Sequence, residues 1–214
     1  MIAPQIPMAK EGYPFIFFSA FVTLTLALLG WNGPALVALL LTGFVTWFFR
    51  DPERTTPASQ DGLICPADGK VILIEEVDDQ EYLMGRARKV SIFMNVFNVH
   101  VNRIPCKGQI EQIIPRPGKF YSADSSKAAL HNEICATLLT SERGPRIAVV
   151  QMAGLIARRI ICWLESGDSV RAGQRFGLIR FGSRVDLYLP LDTQIDVKVG
   201  DKVKAGETIL GRLA

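Results

Sequence analysis

From Gly12 to Phe49 the chain carries no charged residue. An apolar run of that length is either a deeply buried core or a membrane element, and few folds accommodate it. It divides at Trp31-Asn32-Gly33 into YPFIFFSAFVTLTLALLG and PALVALLLTGFVTWFF. Each half is at the short end of the ~17 to 25 residues that cross a bilayer as a helix. Two short spans joined by a turn fit this pattern, as does a re-entrant hairpin held in one leaflet. A helical pair in a soluble core is the remaining alternative. The run is doubled and too long for a secretory signal, and no small-residue cleavage pattern follows it. Lys10 precedes it, Arg50 and Arg54 follow it, and the turn is uncharged. The positive-inside bias then predicts a protein of the cytoplasmic membrane, with both ends of the hairpin and the rest of the chain on the cytoplasmic side. The 49% hydrophobic composition agrees with an anchor.

Residues 1–50 thus read as a membrane-anchoring helical hairpin, and residues 51–214 as a second domain entered through the polar linker DPERTTPASQDG. Short β-branched runs punctuated by glycine dominate that domain: KVILIEEV, KVSIFMNVF, GQIEQIIP, PRIAVVQMA and RRIICWLE. Only SADSSKAALHNEICATLL reads as helical, and there only briefly, held at Ser126 to Leu130. The fold class expected is mainly β with an N-terminal transmembrane or re-entrant helical hairpin.

Four cysteines, at 65, 106, 135 and 162, form no C-x-x-C pair, and the chain has two histidines. This supports neither a zinc site nor a disulfide framework, so the thiols are expected to be reduced and no metal is expected. Between Arg143 and Arg184 lie eight arginines (143, 146, 158, 159, 171, 175, 180 and 184) against two acids, Glu165 and Asp168. They read either as solvated strand faces or as a surface for anionic partners. No nucleic-acid-binding motif accompanies them, so nucleic acid is not expected as a partner.

A kernel G-D-x-V-x-A-G occurs at Gly167–Gly173 and again at Gly200–Gly206. In each copy Gly-Asp starts a tight turn, valine enters the core and Ala-Gly closes the bend. Such paired half-motifs resemble the barrel-sandwich hybrid of biotinyl and lipoyl carrier domains. Those carriers present a lysine at a hairpin tip, whereas the interval here offers Gly182-Ser183. A membrane-anchored carrier-like β domain without catalysis remains an alternative reading.

Four stretches carry a more specific resemblance: CPADGKV (65–71), FNVHVNRIPCKGQI (97–110), PGKFYSADSSKA (117–128) and RFGSRVDLYLP (180–190). In this order, behind an N-terminal hydrophobic hairpin, they resemble the phosphatidylserine decarboxylases, in particular their short form. The family is made as a precursor that cleaves itself at Gly-Ser. The resemblance therefore implies scission between Gly182 and Ser183, giving a β chain of 1–182 and an α chain of 183–214 that stay associated. It implies that Ser183 becomes a covalent pyruvoyl group, the only cofactor needed. That ketone takes the substrate amine as a Schiff base and accepts the electrons left as carbon dioxide departs. The product would be phosphatidylethanolamine, the substrate phosphatidylserine in the membrane, and the setting phospholipid biosynthesis. A pyruvoyl decarboxylase acting on a soluble amino acid is a further alternative. A homo-oligomer is compatible with either.

The resemblance also implies site residues. Serine is a weak nucleophile and needs a base. His100 is the leading candidate, with Asp68 orienting it, and His131 is the second candidate base. Longer members carry two histidines three apart in the segment that here holds His100 and Arg103, and a threonine where Arg184 stands. Arg103, Lys119, Phe120 and Arg184 are the candidates for substrate binding.

Overall fold

The computed structural model describes residues 7–58, 62–155, 159–180 and 182–213. The chain forms two compact units, Met1–Glu53 and Arg54–Ala214.

In the first unit a single 3-10 turn leads into α1 (Tyr13–Leu28), which pairs with α2 (Asn32–Phe48). Lys10–Leu28 is long and apolar enough to be a candidate membrane span, and Asn32–Phe48 is apolar but shorter. Phe17, Phe18, Phe21, Leu24 and Leu28 of α1 and Leu36 and Leu40 of α2 are all exposed. Side chains of this kind face a hydrocarbon solvent at no cost. The hydroxyls are satisfied internally. Thr23, Thr25, Thr42 and Thr46 each donate to the carbonyl four residues back, and Thr23 Oγ1 meets Thr42 Oγ1 at 3.1 Å across the hairpin. Gly12 lets Phe49 close on the start of α1, since a Cβ there would lie 2.5 Å from the Phe49 Cβ.

The second unit is mostly β, as expected. Its strands are β1 (Gly62–Ile64), β2 (Gly69–Asp79), β3 (Gly85–Met94), β4 (Val101–Arg103), β5 (Gly108–Arg116), β6 (Ile134–Ser141), β7 (Arg146–Ala153), β8 (Ile160–Cys162), β9 (Ser169–Val170), β10 (Arg175–Ile179), β11 (Ser183–Leu189), β12 (Gln194–Ile195), β13 (Lys202–Val203) and β14 (Ile209–Arg212). Among the described residues they form an eight-stranded antiparallel sheet in the order β13-β2-β3-β11-β7-β6-β5-β9 and two small sheets, β4-β10-β8 and β1-β14-β12. One face of the large sheet buries the main core, including Ile92, Val149, Val185, Leu187 and Leu189. Met152, Val150 and Ala148, with Tyr82 and Tyr188, form a second cluster with α3 (Ser126–His131).

The two glycine-rich kernels are structural counterparts. They supply β9 and β13, the opposite edges of the large sheet. Val170 and Val203 enter the main core. Gly173 and Gly206 both have positive φ, 75° and 77°, which glycine adopts without strain. Asp168 and Asp201 accept the backbone N–H three residues back, from Glu165 and Lys198.

The brief helix expected around Ser126 to Leu130 is present as α3, which stops at His131, and the segment continues as strand β6. The segment ICATLLTS is buried between β5 and β7, and this tertiary pairing overrides the local helical preference of its alanine and leucines.

Candidate active site

The crossover from β10 to β11 brings together the residues that the sequence singles out. β10 pairs with β4, and the Ile179 N–H donates to the His100 carbonyl at 3.2 Å, which fixes His100 at the head of β4. The chain then passes from the small sheet into the large one, where Ser183 opens β11 between Met94 of β3 and Ala153 of β7. Gly182 makes the corner with φ +70°. A side chain there would be strained, so the Gly in Gly-Ser is required by the backbone.

His100 and Ser183 are both fully buried. The His100 Nδ1 lies 3.0 Å from the Asn98 carbonyl oxygen, which can only accept, so in the neutral ring Nδ1 carries the proton. That leaves the Nε2 lone pair facing the corner, where it accepts the Gly182 N–H at 3.2 Å. The Ser183 hydroxyl, one residue on, has no hydrogen-bond partner among the described residues. A buried, unsatisfied hydroxyl costs about 1–3 kcal/mol, and such orphans concentrate at reactive sites. Beside it is a cavity of about 260 Å³ lined by Phe93, Asn95, Val96, Ala123, Leu155 and Gly182, among others.

The Gly182 carbonyl is held as tightly as the amide. A Cβ on Gly154, at the end of β7, would lie 2.2 Å from the Gly182 oxygen. Gly154 is thus a site residue that sequence reasoning passes over; its only sign is a glycine directly after the strand RIAVVQMA. Ala123 packs on the same spot, and its carbonyl accepts from Arg184 at 3.0 Å.

The other sequence candidates fall elsewhere. Asp68 does not meet His100. Its carboxylate is gripped by Arg54 through two bonds, at 2.5 and 2.9 Å, and also accepts the Ala205 N–H at 2.8 Å. It therefore fastens the segment after the first unit to the second glycine kernel. The group at His100 Nδ1 is the Asn98 carbonyl. Arg103 is buried between the two kernels: it donates to the Gly173 carbonyl at 3.0 Å, and its stem fills the space that a Cβ on Gly206 would need. Arg184 points to the face of β11 opposite Ser183 and is buried in an ion pair with Asp186 at 2.8 Å. Phe120 packs on the main core. Lys119 is exposed, its backbone bonded to His131 and Glu133. His131 is exposed at the end of α3 with its ring 5.9 Å from that of Tyr121.

The eight arginines do not form one surface. Arg146 pairs with Glu111 at 2.6 Å, Arg184 is buried, Arg171 lies beside the first kernel turn, and Arg158 is outside the described residues. Among the described residues no cluster of three or more His, Cys, Asp or Glu could hold a metal ion.

A buried serine with a histidine on the preceding amide, set in an antiparallel β fold, defines a class of site suited to nucleophilic rearrangement of the main chain. The comparisons give the family. Residues 41–211 match the phosphatidylserine decarboxylase family model. The phosphatidylserine decarboxylase proenzyme of Desulfotalea psychrophila is 59% identical over 213 residues, covering 100% of both chains. Those of Syntrophotalea carbinolica and Geotalea uraniireducens are 49% and 47% identical, each over 97% of both chains. The chain belongs to the phosphatidylserine decarboxylase family and is a decarboxylase.

Proposed function

We propose that the chain is a self-processing precursor that cleaves at Gly182–Ser183 and then converts phosphatidylserine into phosphatidylethanolamine. The observation that carries this is the approach of His100 Nε2 to the Gly182 amide beside the unpartnered Ser183 hydroxyl. In the cleavage, His100 Nε2 takes the Ser183 hydroxyl proton as Oγ attacks the Gly182 carbonyl carbon. The C–N bond breaks, and the Gly182 acyl group passes to Oγ as an ester. Loss of the Ser183 α-proton then breaks the Cβ–Oγ bond and frees the Gly182 carboxylate. Addition of water to the residue left at 183 releases ammonia and leaves a pyruvoyl group. The tautomer set by Asn98 leaves Nε2 unprotonated, the state a base needs. The packing of Gly154 on the Gly182 oxygen restricts how the carbonyl can turn.

The residues present fit that group. Position 183 is buried, its oxygen is unengaged, and a cavity opens beside it. Once formed, the pyruvoyl supplies an electron sink for the departing carboxylate. The chain's own contribution is to exclude water with Phe93, Val96 and Ala123, and to hold His100 where a proton can be returned to product. Asn95 and Ser122 are the polar groups in the cavity wall that could meet a head group. Leu155, which lines the cavity and is 64% exposed, suits the acyl region of a lipid better than a soluble amino acid. With Lys10–Leu28 as the anchor and basic residues on both sides of the hairpin, the catalytic unit acts at the cytoplasmic membrane surface.

The test is release of carbon dioxide and phosphatidylethanolamine from phosphatidylserine vesicles. Wild type should produce both, and Ser183→Ala neither. Release of carbon dioxide from free serine but not from vesicles would favour a soluble substrate.

A further inference from the structure

Scission at Gly182–Ser183 cuts the chain at the head of β11, and position 183 must then be held by other residues. Conversion of Ser183 removes the peptide bond to Gly182 and also the backbone nitrogen of residue 183, which leaves as ammonia. The first residue of the α chain to keep its N–H and its side chain is Arg184. Its main chain lies between Phe93 of β3 and Met152 of β7. Its side chain is buried, which an arginine tolerates only when its donors are engaged.

The guanidinium forks between the two future chains. Nη2 donates to Asp186 Oδ2 at 2.9 Å, within the α chain, and Nη1 donates to the Ala123 carbonyl at 3.0 Å, within the β chain. Asp186 is buried, so its carboxylate holds the planar fork in one orientation. Ala123 is itself a fixed point. It is buried, and with Ser122 it lines the cavity beside Gly182. Two residues earlier, Tyr121 is clamped by the buried Asn132 side chain. Asn132 Oδ1 accepts the Tyr121 N–H at 2.8 Å, and Nδ2 donates to the carbonyls of Tyr121 at 2.8 Å and Ala153 at 2.7 Å. Ala153 is the β7 partner of Ser183. Asn132 thus ties this wall segment to β7, and Arg184 ties it to β11.

We infer that Arg184 is a positioning residue for the decarboxylation step, an inference that rests on the self-cleavage reading above. Its guanidinium, oriented by Asp186, holds the new end of the α chain against Ala123 of the β chain once the covalent link is gone. Before scission the bond to Gly182 keeps position 183 in place, so the contact matters little to cleavage. After scission it is the side-chain tie between the chains at the residue next to the reacting group.

The test uses two full-length variants in detergent beside wild type. Arg184→Lys keeps a cation near Asp186 but offers one point charge in place of a fork. Arg184→Met combined with Asp186→Asn removes the pair without leaving a lone buried anion. Intact mass spectrometry should show both variants cleaved, with the ketone on the chain that begins at position 183. Carbon dioxide release from phosphatidylserine in mixed micelles, counted per mole of that chain, should fall about 10²-fold in kcat with KM little changed, the scale of a ~1 Å misplacement. Amide hydrogen exchange of the peptide from Arg184 to Leu189 should speed up in the cleaved variants. It should not speed up when the same substitutions are placed in the uncleavable Ser183→Ala precursor. Wild-type kcat in the cleaved variants, a change confined to KM, equal exchange effects in precursor and cleaved protein, or failure of both variants to cleave would each overturn the inference. A wild-type chain that stays whole would overturn the self-processing reading, and this inference with it.

Discussion

His100 Nε2 accepts the N–H of Gly182 at 3.2 Å, so the one buried histidine of the second unit is hydrogen-bonded to the residue that precedes Ser183. The contact separates two roles for the ring, as an acceptor that shapes the corner and as the base for Ser183. His100→Gln keeps an acceptor and not a base, whereas His100→Ala removes both. Both variants should slow chain cleavage by about 10²–10⁴-fold, the usual worth of a positioned base. Gels of freshly expressed protein followed over time would show it, and His100→Gln should keep the wild-type unfolding midpoint. Cleavage of His100→Gln at the wild-type rate would remove His100 as the base.

Gly154→Ala places a methyl 2.2 Å from the Gly182 oxygen. The corner must move, and the expected outcome is a folded precursor that accumulates uncleaved. Gly43→Ala in α2, where a Cβ meets nothing within 4 Å, is the control and should process normally. Equal processing of the two variants would show that the carbonyl position does not matter.

Asp68→Ala removes the carboxylate that the buried Arg54 guanidinium grips at 2.5 and 2.9 Å, leaving it the more distant Glu207 at 3.7 Å. Removing one partner of such a pair costs about 3–5 kcal/mol. The variant should show a lowered urea midpoint, with any loss of cleavage following the loss of fold. Replacing both partners, Arg54→Leu with Asp68→Leu, should recover part of that stability. A stable Asp68→Ala protein that fails to cleave would restore the triad role to Asp68.

Phe21, exposed near the middle of α1, should tolerate alanine and reject lysine. A charge at the centre of a span costs about 2.5–3.5 kcal/mol on insertion scales. Phe21→Lys should shift the protein from the membrane pellet towards the alkaline-extractable fraction, while Phe21→Ala should not. Indifference to both would argue that α1 does not lie in the bilayer.

Features set by local chemistry were readable in the sequence. The charge-free run gives α1 and α2, the β-branched runs give β2, β3, β5 and β7, and the repeated Gly-Asp kernels give matching turns with positive φ. Gly182, Ser183 and His100 were readable because they stand in motifs, and the structure brings them to one corner. What depended on partners distant in sequence was not readable. Asp68 sits in an Asp-Gly turn that looks free to orient a histidine, yet Arg54 and Ala205, far apart in the chain, claim its oxygens. Arg103 and Arg184 look like anion ligands, but the carbonyls of Gly173 and Ala123 and the Asp186 carboxylate use their donors internally. Gly154 has no motif at all; only the approach of the Gly182 oxygen shows why it is glycine.

The central claim is that Gly182–Ser183 is a latent prosthetic group, and intact mass spectrometry of the purified full-length protein under denaturing conditions tests it most directly. The account predicts two chains, one ending at Gly182 and one beginning at position 183, the second carrying a ketone in place of the serine amine and hydroxymethyl groups. A mass for that chain equal to simple hydrolysis, with serine retained, would contradict the pyruvoyl. A single uncleaved chain in a protein that still decarboxylates phosphatidylserine would contradict the account as a whole.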